Sequence, residues 1–374
     1  MNTITASPPS YNFSSKPLVS HLAYLDGMRA LAALYVLIHH AILQLNVDDN
    51  YPYFARVISS IFQHGRFAVD FFIVISGFCL ALPIINNNGV FRNGPIEFLK
   101  RRAIRILPTY YIALTLSIIL ALTYINEKTG TNWDNSIPVT NFDIFTHSIL
   151  IQDFFSETMF KINHTYWSIS VEWHIYLLFP FVVLIWKNFG PVITTISSLF
   201  ISLLLWLVLG KADLNVYGMS PHYLSLFCFG MLAAQISFRR VNFINIILVI
   251  LSAIFAFQLH PILKPDLIAG MCAAFLLVIV GFGELNIIRI FFSYKPLAFI
   301  GTFAYSIYLI HAPLLQVFSQ LFLLRFTLSA GLSFSLLLLA GVPLILFCSY
   351  LFFLFAEQPF LNSKKIRTNP ISNK

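Results

Sequence analysis

The sequence predicts an all-α polytopic membrane protein with about ten transmembrane helices. Apolar runs of about 20 residues, the length that crosses a bilayer, recur from end to end of the 374 residues. Hydrophobic residues make up 58% of the chain and charged residues only 10%, against roughly 25% charged residues in soluble domains. The mean hydropathy is +0.80. The polar stretches between the runs are too short for a separate soluble domain.

The predicted spans follow the apolar runs, and polar loops separate them. The first span carries Arg29 and two histidines and lacks a small-residue cleavage site, so we interpret it as a retained helix and not as a signal peptide. The predicted spans are residues 23–45, 67–85, 104–125, 166–186, 190–210, 222–238, 242–259, 266–283, 297–323 and 330–355.

Basic residues alternate between loops and predict the orientation of the chain. One set of loops and the C-terminal tail is rich in Lys and Arg: Arg92, Lys100, Arg101, Arg102, Arg105, Lys187, Arg239, Arg240, Arg289, Lys295, Lys364, Lys365 and Arg367. By the positive-inside rule, both termini are expected in the cytoplasm of a cell-membrane or inner-membrane protein. The domain prediction is a cytoplasmic tail over 1–22, a transmembrane domain over 23–358 and a basic cytoplasmic tail over 359–374. This bias accounts for the net charge of +8, so the lipid bilayer, and no nucleic acid, is the expected partner.

The first predicted helix carries two ionisable residues on one face. Arg29 and His40 are eleven residues apart, and at about 100° per residue they lie within roughly 20° of each other and about 16 Å apart along the axis. An ionisable side chain at the centre of a membrane span costs roughly 2.5–3.5 kcal/mol on insertion scales. Residues that carry this cost are usually functional, so this helix is predicted to form part of a site.

The predicted orientation sorts the other polar residues by depth. His40, Asp70, Glu172 and His311, from four helices, are all expected in the outer half of the membrane. The basic run 100–105 lies on the opposite, cytoplasmic side. This arrangement predicts an anionic ligand inside and proton chemistry outside. The four cysteines lack CxxC spacing, which indicates neither a disulfide framework nor a zinc site, and no metal is predicted.

Six segments in order resemble the acyltransferase-3 family of integral membrane acyltransferases. They are residues 25–34, 69–78, 101–110, 167–172, 179–180 and 300–313. The resemblance covers about residues 22–358 and implies transfer of an acyl group, commonly acetyl, from cytoplasmic acyl-coenzyme A to a hydroxyl. The implied acceptor is a cell-surface sugar, polysaccharide or glycolipid. With no further domain expected after the last span, the membrane-only form of the family is expected.

The resemblance also implies roles for particular residues. The family's Arg-x10-His pair falls on Arg29 and His40, and its Arg-x-x-Arg falls on Arg102 and Arg105. Our hypothesis is that His40 takes the hydroxyl proton as a general base or first accepts the acyl group itself. Arg102 and Arg105, one helical turn apart, would grip the phosphates of acyl-coenzyme A, with Arg101 beside them.

The remaining predicted site residues support these roles. Glu172 or Asp70 would orient the imidazole of His40, and Arg29 would pair with Asp26 or hold part of the donor. The predicted substrate-binding residues are His311, Tyr308 and Trp167.

Other interpretations of the same residues stay open from the sequence. The basic run 100–105 is also typical of a positive-inside anchor, and Asp70 and Glu172 would also suit structural ion pairs with Arg66 or Arg29. The alternative function is a multi-pass secondary transporter or flippase of a glycan or small anionic solute. Such a transporter would usually show internal repeats and matching broken helices, and the sequence shows no such repeat.

Overall fold

The computed structural model describes residues 22–211, 214–239, 241–259, 264–281 and 287–361. This part of the chain is helical and contains no β-strand, which confirms the all-α prediction. The helices are α1 (Ala23–Leu43), α2 (Tyr53–Ile61), α3 (Gly65–Asn86), α4 (Gly94–Thr123), α5 (Asn141–Ser148), α6 (Trp167–Lys211), α7 (Val216–Met219), α8 (Tyr223–Phe238), α9 (Phe243–Leu259), α10 (Lys264–Gly281), α11 (Ile287–Phe292), α12 (Lys295–Thr302), α13 (Ala304–Phe318), α14 (Ala330–Leu336) and α15 (Val342–Phe352). Most of both predicted tails (1–21 and 362–374), with Arg240, lies outside the described residues.

Within the described ranges, five helices are long and apolar enough to cross a membrane. They are Tyr53–Asn86, Gly94–Thr123, Trp167–Lys211, Ala304–Leu323 and Ala330–Leu361. The apolar helices Phe243–Phe255 and Pro265–Gly281 are shorter. Two predicted spans, 166–186 and 190–210, join in α6, which kinks at Gly190. The number of ten spans therefore stays a prediction, while several apolar helices are observed.

The helices pack around α1, α3 and α8. Helix α3 makes its most extensive contacts with α8, whose other sides pack on α6 and α10. Helix α1 packs on α3, α12 and α13. Apolar side chains of these helices form one continuous buried cluster. Because α1, α3 and α13 are neighbours, polar residues on their facing sides come together inside the bundle.

Helices α3 and α8 cross at two glycines that bring the backbones into contact. A Cβ on Gly77 would overlap the carbonyl of Phe227, and a Cβ on Gly230 would overlap the carbonyl of Val74. Small residues at such crossings let membrane helices approach closely. Because lipid tails are as apolar as the side chains, the helices are held together by van der Waals packing and not by the hydrophobic effect. The crossing fixes α3, which carries several of the cavity-lining residues described below.

Replacing Gly230 with alanine is therefore expected to destabilise the fold. The new Cβ would meet backbone atoms that cannot move aside, so the cost should reach about 3 kcal/mol, the upper end of ordinary overpacking. Thermal unfolding of the detergent-purified protein measures it as a lowered Tm. Gly210→Ala is the matched control, because the nearest neighbour of a Cβ there is at an ordinary 3.8 Å. Equal melting temperatures for the two variants would contradict the close crossing.

The long connection between α4 and α6, residues 124–166, is tied to the helices by polar contacts. Gln316 of α13 accepts a hydrogen bond from Thr131 (2.8 Å) and donates one to Thr129 (2.9 Å). The side-chain amide of Asn163 donates to the carbonyl of Leu309 at 3.1 Å. Because Asn163 is fully buried and held in this way, the loop places the next residue, His164, beside the helices.

Candidate functional site

A cavity of about 530 Å³ lies between α1, α3, α4, α6 and α13. Its charged lining is mixed, with three arginines and three carboxylates, and we call it the arginine cavity. The charged and polar side chains that line it include Asp26, Arg29, Ser76, Cys79, Arg102, Arg105, Glu172, Tyr176, Tyr305, Tyr308 and Glu357. Its volume lies within the roughly 300–1,000 Å³ that is typical of small-molecule sites.

Two of the cations in the arginine cavity differ in how they are paired. Arg29 forms an ion pair with Asp26 at 2.8 Å and donates a second hydrogen bond to the sulfur of Cys79 at 2.9 Å. Arg102 lies over the rings of Phe98 (5.8 Å) and Tyr176 (5.9 Å), and its Nε is buried without a hydrogen-bond partner in the described chain. A buried N–H group of a charged side chain lowers the stability of the fold when it has no hydrogen-bond partner. This orphaned donor fits an anion as the missing partner.

A second cavity, of about 290 Å³, lies between the other end of α1, the starts of α3 and α6, and the loop before α6. Three histidine side chains line it, and we call it the histidine cavity. Its lining includes His39, His40, Arg66, Asn132, His164, Thr165, Trp167 and Tyr308. The ring of His40 forms part of its wall, with the rings of His164 and His311 each 5.0 Å away between centroids.

Hydrogen bonds fix which nitrogen of His40 carries the proton when the rings are neutral. Nδ1 of His311 lies 3.0 Å from the carbonyl of Ile307 and 2.9 Å from that of Tyr308. A carbonyl only accepts, so this nitrogen must carry a proton and Nε2 of His311 must be an acceptor. Nδ1 of His40, 3.0 Å from that Nε2, is then the donor. The lone pair of His40 is therefore on Nε2, for which the described residues supply no hydrogen-bond partner.

His164, by contrast, uses both of its ring nitrogens within the loop. The side-chain amide of Asn132 donates to Nε2 at 3.0 Å, and Nδ1 lies 3.1 Å from the hydroxyl of Ser136. Burial, together with the nearby His311 and His39, lowers the pKa of His164 to about 3. This imidazole is thus neutral at neutral pH and acts as a wall of the cavity, not as its base.

The two cavities lie back to back and share two lining residues, Val69 and Tyr308. The hydroxyl of Tyr308 donates to the carbonyl of Thr165 at 3.0 Å and lies 2.6 Å from the hydroxyl of Ser168. These bonds hold the phenol ring between the cavities. A group that reaches past Tyr308 from the arginine cavity would therefore arrive in the histidine cavity.

The structure brings most of the predicted site residues together in two sets. Arg29, Arg102 and Arg105 line the arginine cavity, and His40 and Trp167 line the histidine cavity. The remaining two substrate-binding predictions lie between and beside these residues: Tyr308 in the shared wall and His311 against His40. The two residues of the Arg-x10-His pair thus reach different cavities from one helix.

Three predicted residues lie elsewhere than expected. Glu172 lines the arginine cavity, where it accepts a hydrogen bond from Tyr176, and does not contact His40. Asp70 is completely buried beside Arg66 and Asp266 and does not line the histidine cavity. The prediction that either carboxylate orients His40 is wrong, because His311 occupies that position. Arg101 points out of the arginine cavity and pairs with Glu97 at 3.5 Å.

Sequence reasoning missed several residues of the two cavities. His164 lies in a loop, where no helical periodicity ties it to His40. Cys79 and Tyr176 are ordinary residues of apolar helices in the sequence, and only the packing of α3 and α6 turns them toward Arg29 and Arg102. The position of His164 three residues before the motif at 167–172 was the one available signal.

Comparison with known proteins adds an independent finding. The family model described as an acyltransferase domain, of the acyltransferase-3 family, matches residues 22–354. The O-acetyltransferase OatA of Staphylococcus aureus is 25% identical over 326 residues, which cover 79% of this chain and 51% of that protein. The peptidoglycan O-acetyltransferase OatA of Listeria monocytogenes is 23% identical over 324 residues, 78% of this chain and 49% of that protein. The putative peptidoglycan O-acetyltransferase YrhL of Bacillus subtilis is 25% identical over 327 residues, 78% of this chain and 48% of that protein.

The match defines the class of protein: a membrane protein of the acyltransferase class with several apolar helices. The chain belongs to the acyltransferase-3 family, which confirms the resemblance seen in its motifs and the prediction of an O-acyltransferase enzyme at the level of this family. It spans about half the length of the curated relatives it matches. No solved structure matches it.

Proposed function

We propose that this protein moves an acyl group, most simply acetyl, from acyl-coenzyme A to a hydroxyl of a glycan or glycolipid. The donor would occupy the arginine cavity and the acceptor the histidine cavity. The observation that carries the proposal is the shared wall: Val69 and Tyr308 line both cavities. Donor and acceptor can then meet inside the protein without either crossing it completely.

The arginine cavity suits the donor because acyl-coenzyme A combines phosphates with a long, thin thioester arm. Arg102 offers a buried guanidinium donor that has no partner among the described residues, and Arg105 stands one turn further along α4. Guanidinium groups bind phosphates through paired hydrogen bonds and charge. Arg29 is already paired with Asp26, which supports a place along the arm and not at the phosphates.

The histidine cavity suits the acceptor because a sugar hydroxyl needs a base to become a nucleophile. Nε2 of His40 would remove the hydroxyl proton as the oxygen attacks the thioester carbonyl carbon. The carbon–sulfur bond then breaks, the ester forms, and the proton on His40 passes to the departing thiolate. His311 would keep Nδ1 of His40 protonated throughout, which leaves Nε2 free to take up and return the proton.

In this proposal the two cavities are reached from opposite sides of the membrane. The positive-inside bias of the sequence supports cytoplasmic termini, and Arg102 and Arg105 belong to the same basic run. The donor would then enter from the cytoplasm, where acyl-coenzyme A is made, and the acceptor from outside. The relatives named for peptidoglycan support a cell-surface glycan as the acceptor class.

Release of free thiol from acetyl-coenzyme A tests this function directly. The purified, folded protein is expected to release coenzyme A only when a suitable glycan is added, and mass spectrometry should find the acetyl ester on that glycan. The panel should include peptidoglycan fragments, surface polysaccharide oligomers and glycolipids, with acetyl and longer acyl donors. Failure of every donor and acceptor to give thiol release would contradict the proposal and favour a transport function.

A further inference from the structure

A third cavity, of about 420 Å³, adjoins the histidine cavity and shares no lining residue with the arginine cavity. The third cavity and the histidine cavity share His39, Gly65 and Arg66 as walls, so this outer groove lies directly beside the space around His40. The ring of His39 lies 5.1 Å from that of His40 between centroids, and its Nδ1 donates to the carbonyl of Phe62 at 2.7 Å. One imidazole ring thus separates the groove from the proposed base.

The outer groove presents an aromatic surface. Tyr217 is 53% exposed, while Trp206 beside it is 7% exposed and meets it edge-on, 5.4 Å between ring centroids. The short helix α7 that carries Tyr217 is held in place, since Asn215 accepts from the amide of Gly218 (3.1 Å) and donates to the carbonyl of Asp153 (3.2 Å). An exposed aromatic ring on a fixed turn is suited to stack on an amphipathic ligand.

The opposite part of the groove is polar and preorganised. One oxygen of Asp266, Oδ2, accepts from Nε of Arg66 at 2.9 Å and from Nε2 of His222 at 2.8 Å. Both of these donors use the same oxygen, and Oδ1 of Asp266 has no hydrogen-bond partner among the described residues, which leaves it for a ligand hydroxyl. The guanidinium of Arg66 also lies over the ring of Trp167 at 5.4 Å. A carboxylate and a guanidinium held rigidly near an aromatic face can bind hydroxyl groups of known orientation.

We propose that the outer groove is a second sugar subsite, which binds the residue of the glycan next to the one that is acylated. This inference rests on the proposed function. Tyr217 would stack on the apolar face of that sugar, and Asp266 with Arg66 would bind its hydroxyls. The subsite gives a physical reason for a preference for oligomeric acceptors: a second bound residue holds the first near His40.

Binding of short and long glycans to Tyr217→Ala tests the subsite without relying on turnover. Titration calorimetry of the full chain in nanodiscs would use monomers and β-linked tetramers of N-acetylglucosamine, glucose and galactose. In the wild type at least one tetramer should bind about tenfold more tightly than its monomer. Tyr217→Ala should remove most of that advantage and leave binding of the monomer within about twofold. Tyr53→Ala is the matched control, since Tyr53 is 76% exposed and does not line the groove.

Each result of this experiment supports or overturns the proposed subsite, whether or not the protein transfers an acyl group. If every tetramer binds the wild type only as tightly as its monomer, the subsite is overturned. It is also overturned if tighter binding of the tetramer survives in Tyr217→Ala. Equal weakening of monomer and tetramer would also overturn it, because it would point to a general structural role of Tyr217. Selective loss of tetramer binding in a protein that releases no thiol would support the subsite while the proposed acyl transfer fails.

Discussion

Replacing His40 with alanine is expected to lower the rate of acyl transfer by about 10²–10⁴-fold, the range that a positioned general base supplies. The reason lies in the hydrogen bonds of the cluster. His311 donates its Nδ1 proton to backbone carbonyls and accepts from Nδ1 of His40, while His164 has partners for both nitrogens. Within the described part of the chain, His40 is thus the member of this trio whose Nε2 has no hydrogen-bond partner. Thiol release at saturating donor and acceptor measures the loss.

The adjacent His39 provides the matched control. It also lines the histidine cavity, but its ring lies at the boundary with the outer groove and is fixed by the carbonyl of Phe62. His39→Ala should keep kcat within about tenfold of the wild type, and both variants should melt at nearly the wild-type temperature. If His40→Ala kept full kcat, or if His39→Ala lost as much as His40→Ala, the base would be assigned to the wrong residue.

The sequence predicted the two ends of the site because helical geometry relates residues within one helix. The eleven-residue spacing of Arg29 and His40 held: α1 runs unbroken from Ala23 to Leu43 and presents the first residue to the arginine cavity and the second to the histidine cavity. Arg102 and Arg105 likewise reach one cavity because they lie one turn apart on α4. Relations of this kind need no knowledge of the neighbouring helices.

The predictions that failed needed relations between helices. The position of Glu172 near the start of α6 gives its depth in the membrane to about one turn, but it does not tell which neighbouring helix the side chain faces. In the structure the side chain lies beside Tyr176 and lines the arginine cavity. Asp70 follows Arg66 by one turn, and the packing of α3 against α8 and α10 buries it away from His40. Sequence reasoning missed His164 for a different reason, because loop residues have no periodicity that would place them.

Hydropathy also explains why the helices were easier to predict than the number of spans. An apolar run of about 20 residues predicts a helix whether that helix spans the membrane alone or joins another. Residues 297–323 formed one predicted span, but the backbone leaves the helix at Phe303 and divides it into α12 and α13. Such breaks depend on tertiary contacts, here the packing of α12 and α13 on α1, and the hydropathy pattern does not record them.

Replacing Arg102 with alanine should raise KM for acyl-coenzyme A by about 10- to 100-fold. A hydrogen bond to a charged group contributes roughly 1.5–3 kcal/mol, and each 1.4 kcal/mol corresponds to about a factor of ten in affinity. The loss of affinity in Arg102→Ala should fall in this range because the buried Nε has no partner in the described chain and the guanidinium is held over two aromatic rings. The KM for the glycan should change little, since Arg102 does not line the histidine cavity.

The neighbouring residue and a simplified donor make this prediction specific. Arg101→Ala removes the same charge from the same helix, but Arg101 pairs with Glu97 and does not line the arginine cavity, so its KM should stay near the wild-type value. Acetyl-pantetheine carries the thioester without any phosphate, and Arg102→Ala should use it as well as the wild type does. Equal losses with both donors would mean that Arg102 supports the fold, and unchanged KM for acetyl-coenzyme A would place the phosphates elsewhere. A loss confined to the phosphorylated donor would make the orphaned guanidinium the anchor of the donor.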